Sequence, residues 1–312
     1  MLRASADTAE SRIFGRLPAM AKPTHNAKLR IRELNSVDDL AQVLRLEKEV
    51  WGFSDADTTP LALAVATENA GSIWLGAFDG DNLIGFAFAF PSLHGQPATP
   101  TASAPCQVGF HSHTLAVREP YRDSGIGYEL KLAQRQKALR LGITEMTWTF
   151  DPLRSRNAHL NFSKLRVISN SYRVDFYGPG TTSPLHANST DRLWVTWRMS
   201  DERIEQRLRG KAVRSEVLDA LRHVPPLVRF NGDGVPVEGD LSQALLRQRI
   251  AIEIPGDIER IEGEDRELAR RWRLATRSAF TESLAHGFVV TEFCRSIRGQ
   301  QGPGAYLLER AP

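Results

Sequence analysis

Cysteine is scarce in this chain of 312 residues, which has two, Cys106 and Cys294. They stand far apart and form no Cys-x-x-Cys pair, which argues against a disulfide framework and against a cysteine-based zinc site. Because structural disulfides belong to oxidising compartments, this usage predicts a cytoplasmic protein. Long apolar runs are also missing, since no stretch approaches the ~20 residues that a membrane-spanning helix needs. We therefore expect no membrane partner.

A strong excess of charge of either sign is likewise lacking. Lysine and arginine total 40, aspartate and glutamate total 37, and the net charge is +3. So small an excess does not indicate a nucleic acid partner. Hydrophobic residues make up 41% of the chain and charged residues 25%, which is typical of globular proteins. A chain of this size can bury a core without disulfides or metal ions.

The composition and the predicted secondary structure change along the chain. The first residues are polar, strands and helices then alternate, and a charged helical stretch leads into a linker or long loop rich in proline and glycine at Pro225–Gly239. The tail repeats the element order strand, helix, strand, strand that begins at Ile143, which suggests a duplicated half-domain; a generic coincidence is the alternative. The predicted division is 1–27 disordered leader, 28–200 main domain, 201–247 helical and linker segment, and 248–312 C-terminal βαββ extension.

Two glycines, Gly125 and Gly127, lie between a predicted strand, Gly109–Val117, and a predicted helix, Tyr128–Leu141. Their pattern is Arg122-x-x-Gly125-x-Gly127. Glycine lets the backbone approach a ligand closely, and the first turn of a helix offers unsatisfied N–H groups and a positive dipole end. The junction therefore predicts an anion site that suits a pyrophosphate, and a glycine-rich turn that only caps the helix is the alternative.

Two familiar phosphate loops do not fit this junction. A dinucleotide-binding loop needs a third glycine, and Leu130 stands at its position. A P-loop needs Gly-Lys-Ser/Thr, and Gly127 is followed by Tyr128.

Residues 115–127, Leu-Ala-Val-Arg-Glu-Pro-Tyr-Arg-Asp-Ser-Gly-Ile-Gly, with the helix that ends at Leu141-Gly142, resemble the acetyl-CoA loop of the GNAT superfamily of N-acyltransferases. The resemblance covers about Lys28 to Met199, and the whole chain looks like a long branch of predicted GNAT enzymes. It implies an α/β GNAT fold, a mixed central sheet flanked by helices, here with an α+β C-terminal extension.

The resemblance also implies a co-substrate, acetyl-CoA or another acyl-CoA, and the residues that hold it. Backbone groups of Leu115 and Val117 would pair with the pantetheine arm as an added strand does. Backbone N–H groups in the loop would hold the pyrophosphate, and Asn157 would touch the pantetheine arm. The implied loop residues are Arg122, Asp123, Ser124, Gly125, Ile126, Gly127 and Tyr128, with N–H contacts expected from Arg122 and from Gly125 to Tyr128.

Two histidines on the strand before the loop are the candidates for proton transfer. His111 and His113 are two residues apart, so a regular strand puts them on one face, which Leu115 and Val117 continue. The run His-Ser-His-Thr-Leu-Ala-Val resembles the paired-histidine strand of arylalkylamine N-acetyltransferases, where such histidines pass the amine proton outward. His113 is the first choice as general base, because it lies nearer the acyl carbon. A hydrogen-bonded core histidine remains the alternative.

A His-x-His metal pair is a further alternative for these histidines. It lacks a third ligand nearby in the sequence, other than His94 or Cys106, so no metal is expected.

The departing thiolate in the family usually receives its proton from a tyrosine, and Phe162 aligns with that position. Phenylalanine cannot donate a proton, so Tyr172, Tyr177 or water is left for the role, and Tyr172 is the first choice. We expect an N-acyltransferase that moves an acetyl or other short acyl group from coenzyme A to a small-molecule amine by direct attack. The alternative is a non-catalytic acyl-CoA-binding or regulatory protein, and an oligomer is possible.

Overall fold

The computed structural model describes residues 29–94, 107–178, 188–208, 214–299 and 302–311. The predicted leader, residues 1–27, lies outside the described residues, and so do Cys106 and the side chain of His94.

Within the described residues the strands form one sheet of twelve, in the order β1-β2-β3-β4-β5-β7-β6-β11-β12-β10-β8-β9. The strands are β1 (Arg30–Glu33), β2 (Ile73–Asp79), β3 (Asn82–His94), β4 (Gln107–Val117), β5 (Glu145–Phe150), β6 (Ile168–Arg173), β7 (Arg192–Arg198), β8 (Pro226–Phe230), β9 (Pro236–Glu238), β10 (Arg249–Ile254), β11 (Phe288–Cys294) and β12 (Gly304–Arg310).

The helices lie between these strands. They are α1 (Val37–Trp51), α2 (Leu61–Asn69), α3 (Ile126–Arg140), α4 (Ser155–Ala158), α5 (Glu202–Leu208), α6 (Arg214–His223), α7 (Leu241–Leu245), α8 (Ile258–Glu264) and α9 (Arg266–Ala285), and a π-helical turn, His159–Lys164, continues α4. None of these helices combines the length and apolar character needed to cross a membrane.

Local sequence signals explain where several helices begin. Ser36 caps α1, and its side chain accepts a hydrogen bond from the N–H of Asp39. Asp265 caps α9 in the same way through the N–H of Leu268. Gly142 follows α3 with φ +75°, a left-handed conformation that suits glycine at a helix end.

Two hydrophobic layers cover the two faces of the first half of the sheet. On one face, α1 packs through Leu40 and Val43 against Phe86 and Phe88 of β3. On the other face, α3 packs against the sheet, with Leu130 fully buried beside β2, β3 and β4. This arrangement leaves the edge between β4 and β5 bordered by the start of α3.

The second half of the sheet repeats the strand order of the first half about a junction. The order β5-β7-β6 on one side is mirrored by β10-β12-β11 on the other, and β6 meets β11 antiparallel at Ser169 and Val290. In each half the third strand in sequence lies between the other two and is antiparallel to both. This shared topology supports the duplicated half-domain, which stays a prediction.

Part of the organisation differs from the sequence-based expectation. Pro225–Gly239 is not a linker, because it contains β8 and β9, which form one edge of the sheet. Leu227 and Val228 are buried, and β8 pairs in parallel with β10. The prolines misled the prediction because both Pro226 and Pro236 occupy the first position of a strand, where the missing N–H is tolerated.

Candidate active site

An opening between two parallel strands defines the site. β4 and β5 are paired at Phe110 with Met146 and at His111 with Thr147, and beyond these pairs the two strands part. Ser112 to Val117 of β4 therefore face the opening with their main chain, since their pairing with β3 uses the other edge. An unpaired strand edge of this kind can bind an extended ligand by main-chain hydrogen bonds.

A β-bulge at His113 sets which side chains face which side of β4. Ser112 lies opposite Ala89 and Thr114 lies opposite Phe88, so His113 is the extra residue. Past the bulge the alternation is shifted by one residue. The expectation that Leu115 and Val117 continue the histidine face is therefore wrong.

Leu115 instead turns toward α3, where a Cβ on Gly127 would lie 3.5 Å from Leu115 Cδ2. Val117 points to the same side. A Cβ added to Gly85 would lie 3.3 Å from Val117 Cγ2 and 3.5 Å from Cγ2 of Ile126 in α3, so both side chains lie on the α3 side of the sheet. The two-residue periodicity of a strand cannot predict a bulge, because the bulge adds one residue and shifts every later side chain to the other face of the sheet.

The two histidines themselves do share a face, as expected. Both imidazole rings contact Phe90, with ring centroids 5.4 Å away for His111 and 5.9 Å for His113. His113 also meets Phe88 edge-on at 6.2 Å, and His111 lies 4.9 Å from the Trp194 ring. The rings of Phe88, Phe90 and Trp194 therefore border the two imidazoles where β4 separates from β5, and we call this set of five rings the aromatic wall.

The two imidazoles differ in environment. His111 is buried, and its Nδ1 lies 3.0 Å from Thr147 Oγ1, so its ring is fixed by a neutral partner. His113 has an exposed edge, yet the protein atoms crowded around its ring lower its pKa below the ordinary value by desolvating the imidazolium. A neutral imidazole at this place can accept a proton near pH 7. Over the described ranges, no group of three His, Cys, Asp or Glu side chains is placed to hold a metal ion.

The glycine-containing loop forms a nest of N–H groups at the start of α3. Gly125 adopts φ +90° as the N-cap of α3, and Asp123 adopts φ +62°. Along the described chain, the five consecutive N–H groups from Asp123 to Gly127 donate to no protein acceptor. Such free donors at a positive helix end bind a phosphate group well.

Two loop N–H groups expected to contact the cofactor already have partners within the protein. The N–H of Arg122 donates to Glu119 O at 3.1 Å, and the N–H of Tyr128 donates to Gly125 O at 3.0 Å. The Arg122 side chain folds back, and its Nε donates to Val117 O at 3.2 Å. The free N–H donors are therefore Asp123–Gly127: the expected donors Arg122 and Tyr128 are engaged, and Asp123 and Ser124, which were not expected as donors, are free.

The beginning of α4 borders the same loop. Arg156 Nη1 lies 3.5 Å from Asp123 Oδ2 across the gap, and Asn157 beside it is exposed. Lys164, the last residue of the π-helical turn, has its Nζ 5.5 Å from the ring centroid of Tyr128, the residue that follows the loop. The position of Asn157 beside the nest is compatible with its predicted contact, which stays a prediction.

The predicted proton donor Tyr172 lies in a different environment from the histidines. Its hydroxyl donates to Asp191 Oδ2 at 2.6 Å and its ring stacks on Phe280 of α9. Burial raises its pKa well above the ordinary value. Tyr172 is paired with Leu193 of β7, and the next residue of β7, Trp194, points to the opposite face of the sheet. Tyr172 therefore faces away from the aromatic wall. The catalytic role of Tyr172 stays a prediction, and this placement disfavours it.

Phe162 is fully buried against the C-terminal extension. Its ring meets Phe150 at 6.2 Å and Tyr306 of β12 at 5.7 Å. The Tyr306 hydroxyl donates to Pro152 O at 2.6 Å, so that proton is engaged. The extension therefore packs behind the loop that follows β5, and the Tyr306 hydroxyl beside Phe162 is already engaged.

Sequence reasoning missed one polar cluster at the opening. Lys131 of α3 donates to Ser112 Oγ at 2.7 Å, Ser112 donates to Gln134 Oε1 at 3.1 Å, and Lys131 Nζ lies 3.8 Å from the Trp148 ring centroid. All four side chains are buried. A signal was present, because Lys131, Gln134 and Ala138 follow the three- and seven-residue spacing of one helix face.

The fold and the site together define a class of protein. A row of free N–H groups, a free strand edge and two imidazoles border one opening in a mixed α/β sheet, and acyl transfer from coenzyme A is a reaction that such a set of groups can serve. Residues 37–162 match the family model described as the acetyltransferase (GNAT) family. This part of the chain is a GNAT acetyltransferase domain with the GNAT fold.

Solved structures with a similar arrangement cover just over half of the chain. The ribosomal-protein-S18-alanine N-acetyltransferase of Escherichia coli is 13% identical, with a TM-score of 0.41, over 55% of this chain and 95% of its own. NAA60 of Arabidopsis thaliana, solved with acetyl-CoA, is 15% identical, with a TM-score of 0.43, over 55% and 99%. Aminoglycoside 6'-acetyltransferase type Ii is 18% identical, with a TM-score of 0.40, over 55% and 99%. No curated protein matches the sequence.

Proposed function

We propose that this protein transfers an acetyl or other short acyl group from coenzyme A to the amine of a small molecule. The observation that carries the proposal is the row of five free N–H groups, Asp123–Gly127, at the start of α3. These donors lie directly beyond the free edge of β4. A diphosphate held by the nest would direct a pantetheine arm along that edge into the opening between β4 and β5.

His113 is the proposed general base. A primary amine with a pKa near 10.4 must lose a proton before it attacks, which costs roughly 4–5 kcal/mol at pH 7. An imidazole whose pKa is lowered is neutral at that pH and can accept the proton. His111, fixed by Thr147, is placed to continue a relay from His113 along the same face.

The proposed acceptor is an amine with an apolar or aromatic body. Phe88 and Phe90 border the histidines, with the Trp194 ring beside His111. Aromatic faces bind apolar groups and also attract an ammonium before it loses its proton. This wall supports a small-molecule amine as the acceptor, and an assembly of several copies stays an open expectation.

A second candidate function is binding of acyl-CoA without turnover. It is favoured by Phe162, which occupies the position of the family's proton-donating tyrosine and has no hydroxyl. The two candidates differ in chemistry, since a binding protein would hold the thioester and release no thiol.

Calorimetry and a thiol-release assay test both candidates. We expect acetyl-CoA and coenzyme A to bind, pantetheine alone to bind far more weakly, and at least one member of an amine panel to release free thiol. Binding of coenzyme A with no thiol release across aryl, alkyl and peptide amines would favour the second candidate. No binding of coenzyme A at millimolar concentration would refute both.

A further inference from the structure

A fully buried amine lies at the vertex of the opening between β4 and β5. Ser112 and Trp148 are the first residues of the two strands beyond their last parallel pair. Lys131 Nζ bridges them, 2.7 Å from Ser112 Oγ and 3.8 Å from the Trp148 ring centroid. The Lys131 residue is 3% exposed. A group that enters the opening as far as its vertex therefore meets this amine.

The charged groups on the elements around Lys131 are directed elsewhere. On α3, Arg135 Nε donates to Met199 O at 2.9 Å, and on β4 the ring of His111 faces Thr147 on the opposite side of the sheet. Among the described residues, no carboxylate forms an ion pair with Lys131, and burial alone lowers its pKa to about 7. An ammonium in this place is easily deprotonated, because no anion stabilises it.

The neighbouring polar groups hold the amine in position. Ser112 donates its proton to Gln134 Oε1, so its lone pairs are left to accept from Lys131. Gln134 Nε2 is buried and has no partner in the described part of the chain. One N–H of the ammonium is thus fixed on Ser112, and the others are available at the vertex.

We propose that Lys131 donates the proton that the sulfur of coenzyme A takes up when the acyl group leaves. This inference rests on the proposed function. Its geometric basis is the bulged strand β4, which turns His113 to one face of the sheet and Ser112, with Lys131, to the other. Proton removal and proton delivery are then separated by the sheet, and the thioester lies in the gap between the strands.

The step balances as follows. The acceptor nitrogen forms a bond to the acyl carbon, and His113 takes one proton from that nitrogen. The carbon–sulfur bond breaks, the sulfur keeps the electron pair, and the Lys131 ammonium gives it a proton. The products are an amide and free thiol, with His113 charged and Lys131 neutral. Water in the emptied opening then returns one proton from His113 to Lys131.

The acid strengths suit this direction of transfer. A thiol has a pKa near 8.5, so an ammonium with a pKa about 1.5 units lower protonates its thiolate with an equilibrium constant of roughly 30. A tyrosine hydroxyl with a pKa near 10 would have to transfer its proton against the gradient. Lys131 can therefore do without the hydroxyl that Phe162 lacks.

The test compares Lys131→Met with Lys137→Met, a matched variant of an α3 lysine that pairs with Glu33 at the surface. Both proteins are assayed with acetyl-CoA and an arylamine whose own pKa lies below the assay range. We expect Lys131→Met to lose at least ~100-fold in kcat, with coenzyme A affinity within about threefold of the parent. The parent kcat should fall as the pH rises past about 7, because Lys131 loses its proton, and this alkaline limb should vanish in Lys131→Met. Lys137→Met should match the parent throughout.

Several outcomes would overturn the proposal. An unchanged kcat and alkaline limb in Lys131→Met would do so, as would weakened coenzyme A binding with normal kcat at saturation. A ¹⁵N titration of the Lys131 amine needs no acceptor, and an amine that stays charged to pH 10 would also contradict it. If Lys131→Met fails to fold, Ser112→Ala, which removes the fixed acceptor, must shift the alkaline limb. Failure of the parent protein to bind coenzyme A would instead refute the proposed function itself.

Discussion

Two glycines at opposite ends of α3 allow binding of the phosphate group to be separated from fold stability. Gly125 opens the helix at φ +90° and Gly142 follows its last turn at φ +75°. At neither position would an added Cβ meet another atom within 4 Å. Alanine at either site should therefore be disfavoured by the left-handed backbone alone, which costs about 1–2 kcal/mol.

The two substitutions should have the same effect on stability and different effects on coenzyme A. We expect Gly125→Ala and Gly142→Ala each to lower the free energy of unfolding by about 1–2 kcal/mol in urea titrations. In Gly125→Ala, relief of the strain reorients the N–H groups of the nest. A hydrogen bond to a charged group contributes about 1.5–3 kcal/mol, so losing one should weaken coenzyme A binding roughly 10- to 100-fold.

Calorimetric titration with coenzyme A provides the comparison. Gly142→Ala is the matched control, since it carries the same backbone strain at the end of the helix away from the nest. We expect its affinity to stay within about twofold of the parent. If both variants lost affinity equally, binding would follow global stability, and if neither lost it, the nest at Asp123–Gly127 would not hold the phosphates.

Three further predictions concern the base and the junction with the extension. His113→Gln should lower kcat ~100-fold or more. It should also remove the rise in rate that the parent shows as the pH increases through a pKa below 6.5, and a retained rise would contradict the assignment. Arg273→Met breaks the buried pair with Asp151 at 2.8 Å and should cost about 3 kcal/mol of unfolding free energy, whereas a loss below about 1 kcal/mol would refute the argument. Tyr306→Phe leaves Pro152 O without its 2.6 Å donor and should cost about 1–3 kcal/mol, measured by urea unfolding, with unchanged coenzyme A affinity as the control readout.

Short-range patterns account for what the sequence predicted well. The cap at Ser36 and the helix end at Gly142 each depend on a few adjacent residues, and the structure has these helix ends where they were expected, while α3 begins at Ile126 rather than Tyr128. The GNAT domain was identifiable for the same reason, since its loop is a continuous segment of the sequence.

Predictions failed where a residue's environment comes from distant segments. The bulge at His113 depends on the register between β3 and β4, which no local count reveals. Pro226 looked like part of a linker because its own strand partner is Ala251, 25 positions further along the chain. The role predicted for Tyr172 stays untested, but its surroundings also come from a distant segment, since Phe280 of α9, about a hundred residues away, stacks on its ring.

The sequence by itself determined the glycine-containing loop at the start of α3 and the fold of the first half, because the loop is formed by neighbouring residues. The tertiary structure alone decided which side chains share the opening. It buried Lys131 of α3 against Ser112 and Trp148 with no carboxylate partner among the described residues, and it directed the histidines to one face and the amine to the other. Burial and charge pairing arise from segments far apart in the chain, so the acid–base properties of this site exist only in the folded protein.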